Sequence, residues 1–249
     1  MRTRSRAAPK SDSASDSGRT ADRLIDASRK AGWSGVVFAV LLVASLVLIH
    51  RLPKLGDTDA VYTDFYQTGG CGTVSVVGLY LVPFAGIACL WHMMATRTLL
   101  QLRRPASWAE IPHWLQLGAC VVFVCMLFAG SAAAGAVALL TQFSDAPLPG
   151  PDVARGLSAV GYALVFVFGV RAAGMYMLTT TGLARTAGVF PGPVVVVSYL
   201  AAVGLLVSVT FHPAILLVFP GWVLMVSIVL LVHRPVPTGA VHDRDDQPG

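Results

Sequence analysis

The sequence predicts an all-α fold: a polytopic integral membrane helix bundle of six transmembrane helices, with both termini in the cytoplasm. Three observations carry this expectation. The first is composition, with 55% of the 249 residues apolar, only 12% charged and a mean hydropathy of +0.68. Soluble domains carry about 25% charged residues. The second is that the apolar residues fall in long runs. About 20 residues rising 1.5 Å each cross a hydrocarbon core of ~30 Å. In that core every backbone polar group must be bonded within its own helix or a closed barrel, and these runs lack the period-two alternation of barrel strands. The third is the asymmetric placement of Lys and Arg, taken up below.

Residues 1–32 are rich in Ser, Arg and Asp, with almost no large apolar side chain before Leu24. Such a segment buries too little surface to offset its ordering entropy. It is expected to be a disordered basic cytoplasmic tail, with a short surface helix over Thr20–Lys30 as its only order. Its eight basic residues suit anionic headgroups, or serve only as a topology signal. The first span follows, Trp33–Ile49, read as an uncleaved anchor because the charged region before it is long and no small-x-small site follows. His50–Thr73 is a loop whose Tyr62, Phe65 and Tyr66 are spaced for one face of a short interfacial helix.

The second span is Val74–Met93. A link with Arg97, Arg103, Arg104, Trp108 and Glu110 leads to the third, Trp114–Leu140. Within it, GSAAAGA (Gly130–Ala136) is a small-residue patch of the kind that lets helix backbones approach closely. A polar link with three prolines, Ser144–Arg155, precedes the fourth span, Leu157–Leu178. The fifth, Val194–Thr210, begins behind Pro193 at a favourable first-turn position. Only Phe211 and His212 separate it from Pro213, which opens the sixth span, ending near Leu231. So short a link makes spans five and six an antiparallel hairpin. Pro220-Gly221 is expected to kink the sixth span. The three regions are thus a tail at 1–32, a transmembrane domain at 33–232 and a short cytoplasmic tail at 233–249.

With the N-terminus inside, 14 of the 18 Lys and Arg fall on the inner side and 3 on the outer, with Arg171 inside a span. Trp33, Trp91, Trp108 and Trp114 fall at the inner boundary on the same assignment. Both patterns follow the positive-inside rule and the interfacial preference of indole. The positive charge lies at span ends, which argues against nucleic acid as a partner.

Chemistry is sparse. No Asp or Glu lies inside a span, which weakens a proton relay. GxSxG and P-loop patterns are absent. His92 and His113 share the inner boundary with Glu110, yet HExxH and HxxEH spacings are missing, and no metal or other cofactor is expected. Cys89, Cys120 and Cys125 fall in apolar runs and Cys71 in a loop, without a CxxC pattern, so they read as small hydrophobes.

The candidate binding residues are Arg171, Glu110, Thr179 and Thr180. Arg171 is the one charged residue well inside an apolar run. It either reaches the inner headgroups or pairs with Glu110, the one acidic residue in an inner link between spans. Thr179 and Thr180 belong to a Thr triplet. On the same span Gly169, Ala172, Ala173 and Tyr176 form one narrow stripe suited to helix packing. Arg171 lies on another side, with Gly174 and Leu178.

RAAGMYMLTTTGLARTAGVFPGP (Arg171–Pro193), FPGWVLMVSIVLL (Phe219–Leu231) and GLYLVPFAGIACLW (Gly78–Trp91) resemble a family of uncharacterised multi-span membrane proteins common in actinobacteria. The resemblance covers Gly78–Leu231 and implies a helical membrane fold, with no activity and no functional residues to transfer.

The expected function is that of a structural or accessory component of the bacterial cytoplasmic membrane, acting through helix contacts rather than catalysis. A small transporter or channel for an apolar or weakly polar solute is the second reading. Expected partners are the lipid bilayer and, through the small patches, other membrane proteins or a second copy.

Overall fold

The computed structural model describes residues 11–103, 110–144, 147–208, 212 and 214–232. Expectations for Arg104, Trp108, the Phe211–Pro213 link and the tail at 233–249 lie outside the described residues, except for His212.

The chain opens on α1, Ser11–Ile49, a helix of 39 residues. Where a disordered tail to residue 32 is expected, with a short helix over Thr20–Lys30, the described helix begins at Ser11. The cause is a narrow stripe. Leu24, Ala27, Ser28 and Ala31 are buried at i, i+3, i+4 and i+7, the spacing of one helix face. Only Leu24 is large, so hydropathy gave little sign of it. Small residues instead let α1 lie close to its neighbours. Ser28 Oγ donates to the Leu230 carbonyl at 2.6 Å, and a Cβ on Gly32 would sit 2.5 Å from Leu231 Cγ.

α2, Asp59–Gln67, is the short helix expected from the aromatic spacing. Gly69, with φ at 101°, turns the chain into the second span. That span is α3, Gly70–Val76, a π-helical segment π1, Val77–Leu81, and α4, Val82–Leu102. α5 follows as one helix, Ile111–Phe143. The fourth span is likewise interrupted: α6, Pro151–Tyr162, then π2, Ala163–Gly169, then α7, Val170–Thr186. α7 ends in a left-handed Gly188 (φ 64°). Gly188 N–H donates to the Arg185 carbonyl and Val189 N–H to the Ala184 carbonyl. This six-to-one and five-to-two pattern satisfies the last carbonyls of the helix.

α8, Gly192–Val207, has 16 residues, about 24 Å of helix. Pro191 precedes it in extended backbone, and Ser208 ends it the same way. α9, Ile215–Val232, runs through Pro220. Five stretches are thus long and apolar enough to cross a membrane: Asp22–Ile49, Gly70–Leu102, Ile111–Phe143, Pro151–Thr186 and Ile215–Val232. The fifth of the six expected spans is the shorter apolar helix α8. All regular structure among the described residues is helical.

α1 packs against α4 and α9, and α7 against α5 and α8. α5 is the most central helix, touching α3, π1, α4, α6, π2 and α7. The main apolar core contains a cluster of rings. Phe219 lies edge-on to Phe38, Phe123 and Tyr176 at centroid distances of 5.5, 4.7 and 6.0 Å, and stacks on Trp222. The Trp222 indole N–H finds its partner in Ser198 Oγ, at 2.8 Å.

Candidate functional site: an apolar cavity under α2

The two π segments lie on different spans yet flank the same space. A cavity of about 100 Å³ is bounded by Val77 and Gly78 of π1, Val165 and Phe166 of π2, and the Gly130–Gly135 face of α5. The widened turn of a π-helix displaces side chains from the regular α ladder, and such turns often mark functional sites. The small patch on α5 serves two purposes. Gly130 is a packing residue: a Cβ there would sit 2.5 Å from Val165 Cγ2 and 3.0 Å from the Gly161 carbonyl. Gly135 has room, with Val74 Cγ1 at 3.6 Å from its Cβ position, and it lines the cavity. Gly169, expected at a helix contact, meets only ordinary contacts with Leu164 O and Met126 Cβ, while Ala173 is fully packed.

A second apolar space of about 40 Å³ continues inward, sharing Leu42, Leu46, Leu127, Val165 and Leu216 with the first. It ends on Phe123, Phe219 and Ala173, against the ring cluster.

The rim is aromatic, with Tyr62, Tyr66 and Tyr162 among its residues. Tyr62 is 2% exposed and packs with Val137 and Ala154 in a small core of its own. α2 therefore sits on the bundle as a roof. Arg155, in α6, fastens it. Its Nη2 donates to the Asp57 carbonyl at 3.0 Å and to Asp59 Oδ1 at 2.7 Å. Its Nη1 donates to Asp152 Oδ1 at 3.1 Å. The guanidinium also lies 5.0 Å from the Tyr62 ring centroid, a cation–π geometry. Tyr62 Oη donates to the Lys54 carbonyl at 3.2 Å. Burial pushes the Tyr66 phenol up to about 12, reinforced by Cys71, Tyr62 and Tyr162 nearby. Burial also raises Tyr62, against the lowering influence of Arg155. Tyr62 and Tyr66 thus stay neutral at ordinary pH.

The residues singled out from sequence do not assemble into one site. Half-buried Arg171 donates from Nη1 to the Val167 carbonyl at 2.7 Å, one turn back and inside π2. Glu110 is exposed at the start of α5, where its carbonyl accepts from His113 N–H. The ion pairs among the described residues do not join these two. Thr179 donates to the Met175 carbonyl of its own helix. Thr180 is fully buried and accepts from Gln116 Nε2 of α5 at 2.9 Å. Sequence reasoning passed over Gln116, although an amide inside an apolar run is a signal in itself. It also passed over Arg155, whose partners come from a distant loop. His92, weighed as a metal ligand, is buried with Nδ1 2.8 Å from the Ala31 carbonyl of α1.

Comparison with known protein families, curated proteins and solved structures finds no significant match for this chain.

Proposed function

We propose that this chain is a six-span protein of the bacterial cytoplasmic membrane that holds one apolar tail of a membrane amphiphile, an acyl or isoprenoid chain, beneath α2. The observation supporting this reading is the convergence of π1, π2 and the α5 small patch on a single apolar cavity. Apolar cavities do not hold water well, and inside a bilayer hydrocarbon is the solute at hand. At ~10–15 Å³ for each water-sized group, about 100 Å³ takes roughly seven to ten such groups. That is the end of a chain and not a whole lipid, so the headgroup stays at the tyrosine rim.

This reading develops the expectation of a transporter for an apolar solute. The alternative, action through helix contacts, loses part of its support. Gly130, Gly161 and Gly174 are used against their own chain, Gly174 with a Cβ position 3.0 Å from the Ala202 carbonyl. Counting α8 as a short span and following the Lys and Arg asymmetry, both termini are cytoplasmic. The α2 roof then faces outward, and the tail enters from the outer leaflet. The resemblance to actinobacterial multi-span proteins belongs to the same proposal.

The test is to purify the chain in polymer-bounded native membrane discs, exchange into detergent, and identify retained lipids by mass spectrometry. Gly78→Leu is the informative variant, because a Cβ at Gly78 meets only Ser131 Oγ, at 3.7 Å, and the added side chain grows into the cavity. The wild type should retain a long-chain species that the folded variant has lost. Equal retention by both would reject the cavity as the binding place.

A further inference from the structure

Four hydroxyls line the outer cavity without a side-chain hydrogen bond to any described residue: Tyr66 of α2, Ser131 of α5, and Ser158 and Tyr162 of α6. Tyr62 is not one of them, because its hydroxyl already donates to the Lys54 carbonyl. Ser45 likewise donates to the Leu41 carbonyl of its own helix. Three helices bring the four together. The Cβ position of Gly161 is 2.7 Å from the Gly130 carbonyl and 2.9 Å from Ala134 Cβ, so α5 and α6 meet backbone to backbone beside Ser131 and Tyr162. Ser131 Oγ lies 3.7 Å from the Cβ position of Gly78 in π1, and both residues line the cavity. The Tyr162 ring is held edge-on to Phe166 at 5.8 Å. An ordinary interfacial belt accounts for tyrosines on an outer surface, but here two tyrosines and two serines line one cavity.

Each of the four is half-buried, so a ligand reaches it without entering the core. None of the residues lining the outer or the inner space is charged. Above the cavity, Arg155 is committed to Asp59, Asp152 and the Asp57 carbonyl. Arg51 and Lys54 are exposed on the loop and do not line the space. A phosphate or carboxylate drawn to these hydroxyls would lose water with no lining cation to offset the loss. An ester carbonyl is uncharged and accepts hydrogen bonds without donating any, which complements a set of hydroxyl donors.

We infer that the amphiphile is an uncharged acyl ester, a diacylglycerol or a lipid with an equally neutral headgroup, whose ester carbonyls accept hydrogen bonds from Tyr66, Ser131, Ser158 and Tyr162. The inference rests on the proposed tail-binding cavity and selects its ligand, an acyl ester in place of an isoprenoid phosphate. The chain length agrees. The outer and inner spaces, about 100 and 40 Å³, together take roughly nine to fourteen chain groups at ~10–15 Å³ each. With the ester at the hydroxyls, one acyl chain of about that length fills both spaces. The second chain stays in the bilayer.

The experiment uses the full chain, delipidated in detergent and titrated with four probes, bound lipid being read by native mass spectrometry. The probes are dimyristoylglycerol, its dialkyl ether analogue, dimyristoyl phosphatidic acid and farnesyl phosphate. Dimyristoylglycerol should bind most tightly, ahead of the ether by roughly two- to tenfold, the size of one neutral hydrogen bond. Combining Tyr66→Phe, Ser131→Ala and Tyr162→Phe should lower ester binding to the level of the ether and leave the ether unchanged. Thermal unfolding checks that this variant is folded, and Tyr66→Phe and Ser131→Ala singly, each losing part of the ester advantage, take its place if it is not. An ether that matches the ester in the wild type, or an ester advantage that survives in the folded variants, would overturn ester recognition. Tighter binding of phosphatidic acid or farnesyl phosphate than of diacylglycerol would overturn the neutral class. Binding of all four probes that Gly78→Leu leaves unchanged would instead reject the cavity reading on which this one stands, so the two failures are distinguishable.

Discussion

Arg155 holds its guanidinium 5.0 Å from the ring centroid of Tyr62 while bonding Asp59 at 2.7 Å. One side chain of α6 thereby grips both the buried face and the leading end of α2. Arg155→Gln should loosen this roof, and amide exchange over residues 59–67 should quicken several-fold. Arg155→Lys should lie between, because an ammonium keeps the charge but not the forked geometry. Exchange-coupled mass spectrometry reads the result. Unchanged exchange in the Gln variant would leave Tyr62 burial as the sole fastening.

The buried rim gives an alkaline signature. An unfolded tyrosine ionises near ~10, whereas Tyr66 in the fold ionises at about 12. Between these values the unfolded chain has lost a proton that the folded chain keeps. Stability is therefore full below pH ~10 and falls as pH rises towards about 12. Thermal unfolding from pH 9 to pH 11.5 should show this fall, and Tyr66→Phe should make it shallower. An identical slope in the variant would count against burial at the rim.

Gly130 and Gly135 stand five residues apart in one patch and should respond differently to leucine. Gly130→Leu drives a side chain into Val165 and the Gly161 carbonyl, and should cost about 1–3 kcal/mol or more by overpacking. Gly135→Leu meets only an ordinary contact with Val74 at its Cβ, and should leave the unfolding temperature nearly unchanged while displacing bound lipid. Equal destabilisation by the two would mean that the cavity is not open.

Gln116 and Thr180 form a buried bond between α5 and α7. A double-mutant cycle with Gln116→Leu and Thr180→Val should give a coupling of about 0.6 kcal/mol, and no more than about 1.7, as for other hydrogen bonds between membrane helices. Zero coupling would remove this bond from the account of how α7 is positioned.

Arg171 bonds the Val167 carbonyl within π2, and Glu110 is elsewhere. Arg171→Leu and Glu110→Gln should therefore be additive within about 0.5 kcal/mol, as expected for independent sites. Coupling beyond that would restore the ion pair. Arg171→Leu alone should destabilise the fourth span, because a carbonyl of the interrupted helix loses its donor.

Much of the fold was legible because hydrophobic length is a local property. A run such as Trp114–Leu140 declares a spanning helix without reference to any neighbour, and Tyr62, Phe65 and Tyr66 declare the face of α2. The same locality explains the misses. The N-terminal part of α1 approaches α9 through Ser28 and Gly32 and α4 through the Ala31 carbonyl, and residues this small carry almost no hydropathic signal. Gly130 and Gly135 look alike in the chain and both line the cavity, and only the closeness of Val165 and Gly161 to one and of Val74 to the other separates a tight contact from a position with room. Sequence by itself determined an all-helical chain whose apolar helices are long enough to cross a membrane, because that follows from the period and length of apolar runs. Tertiary structure alone decided that Arg171 turns to its own helix, that Arg155 fastens Tyr62, and that Cys89 meets Cys120. Those relationships depend on how helices far apart in the chain pack side by side, and residue spacing along one helix holds no record of it.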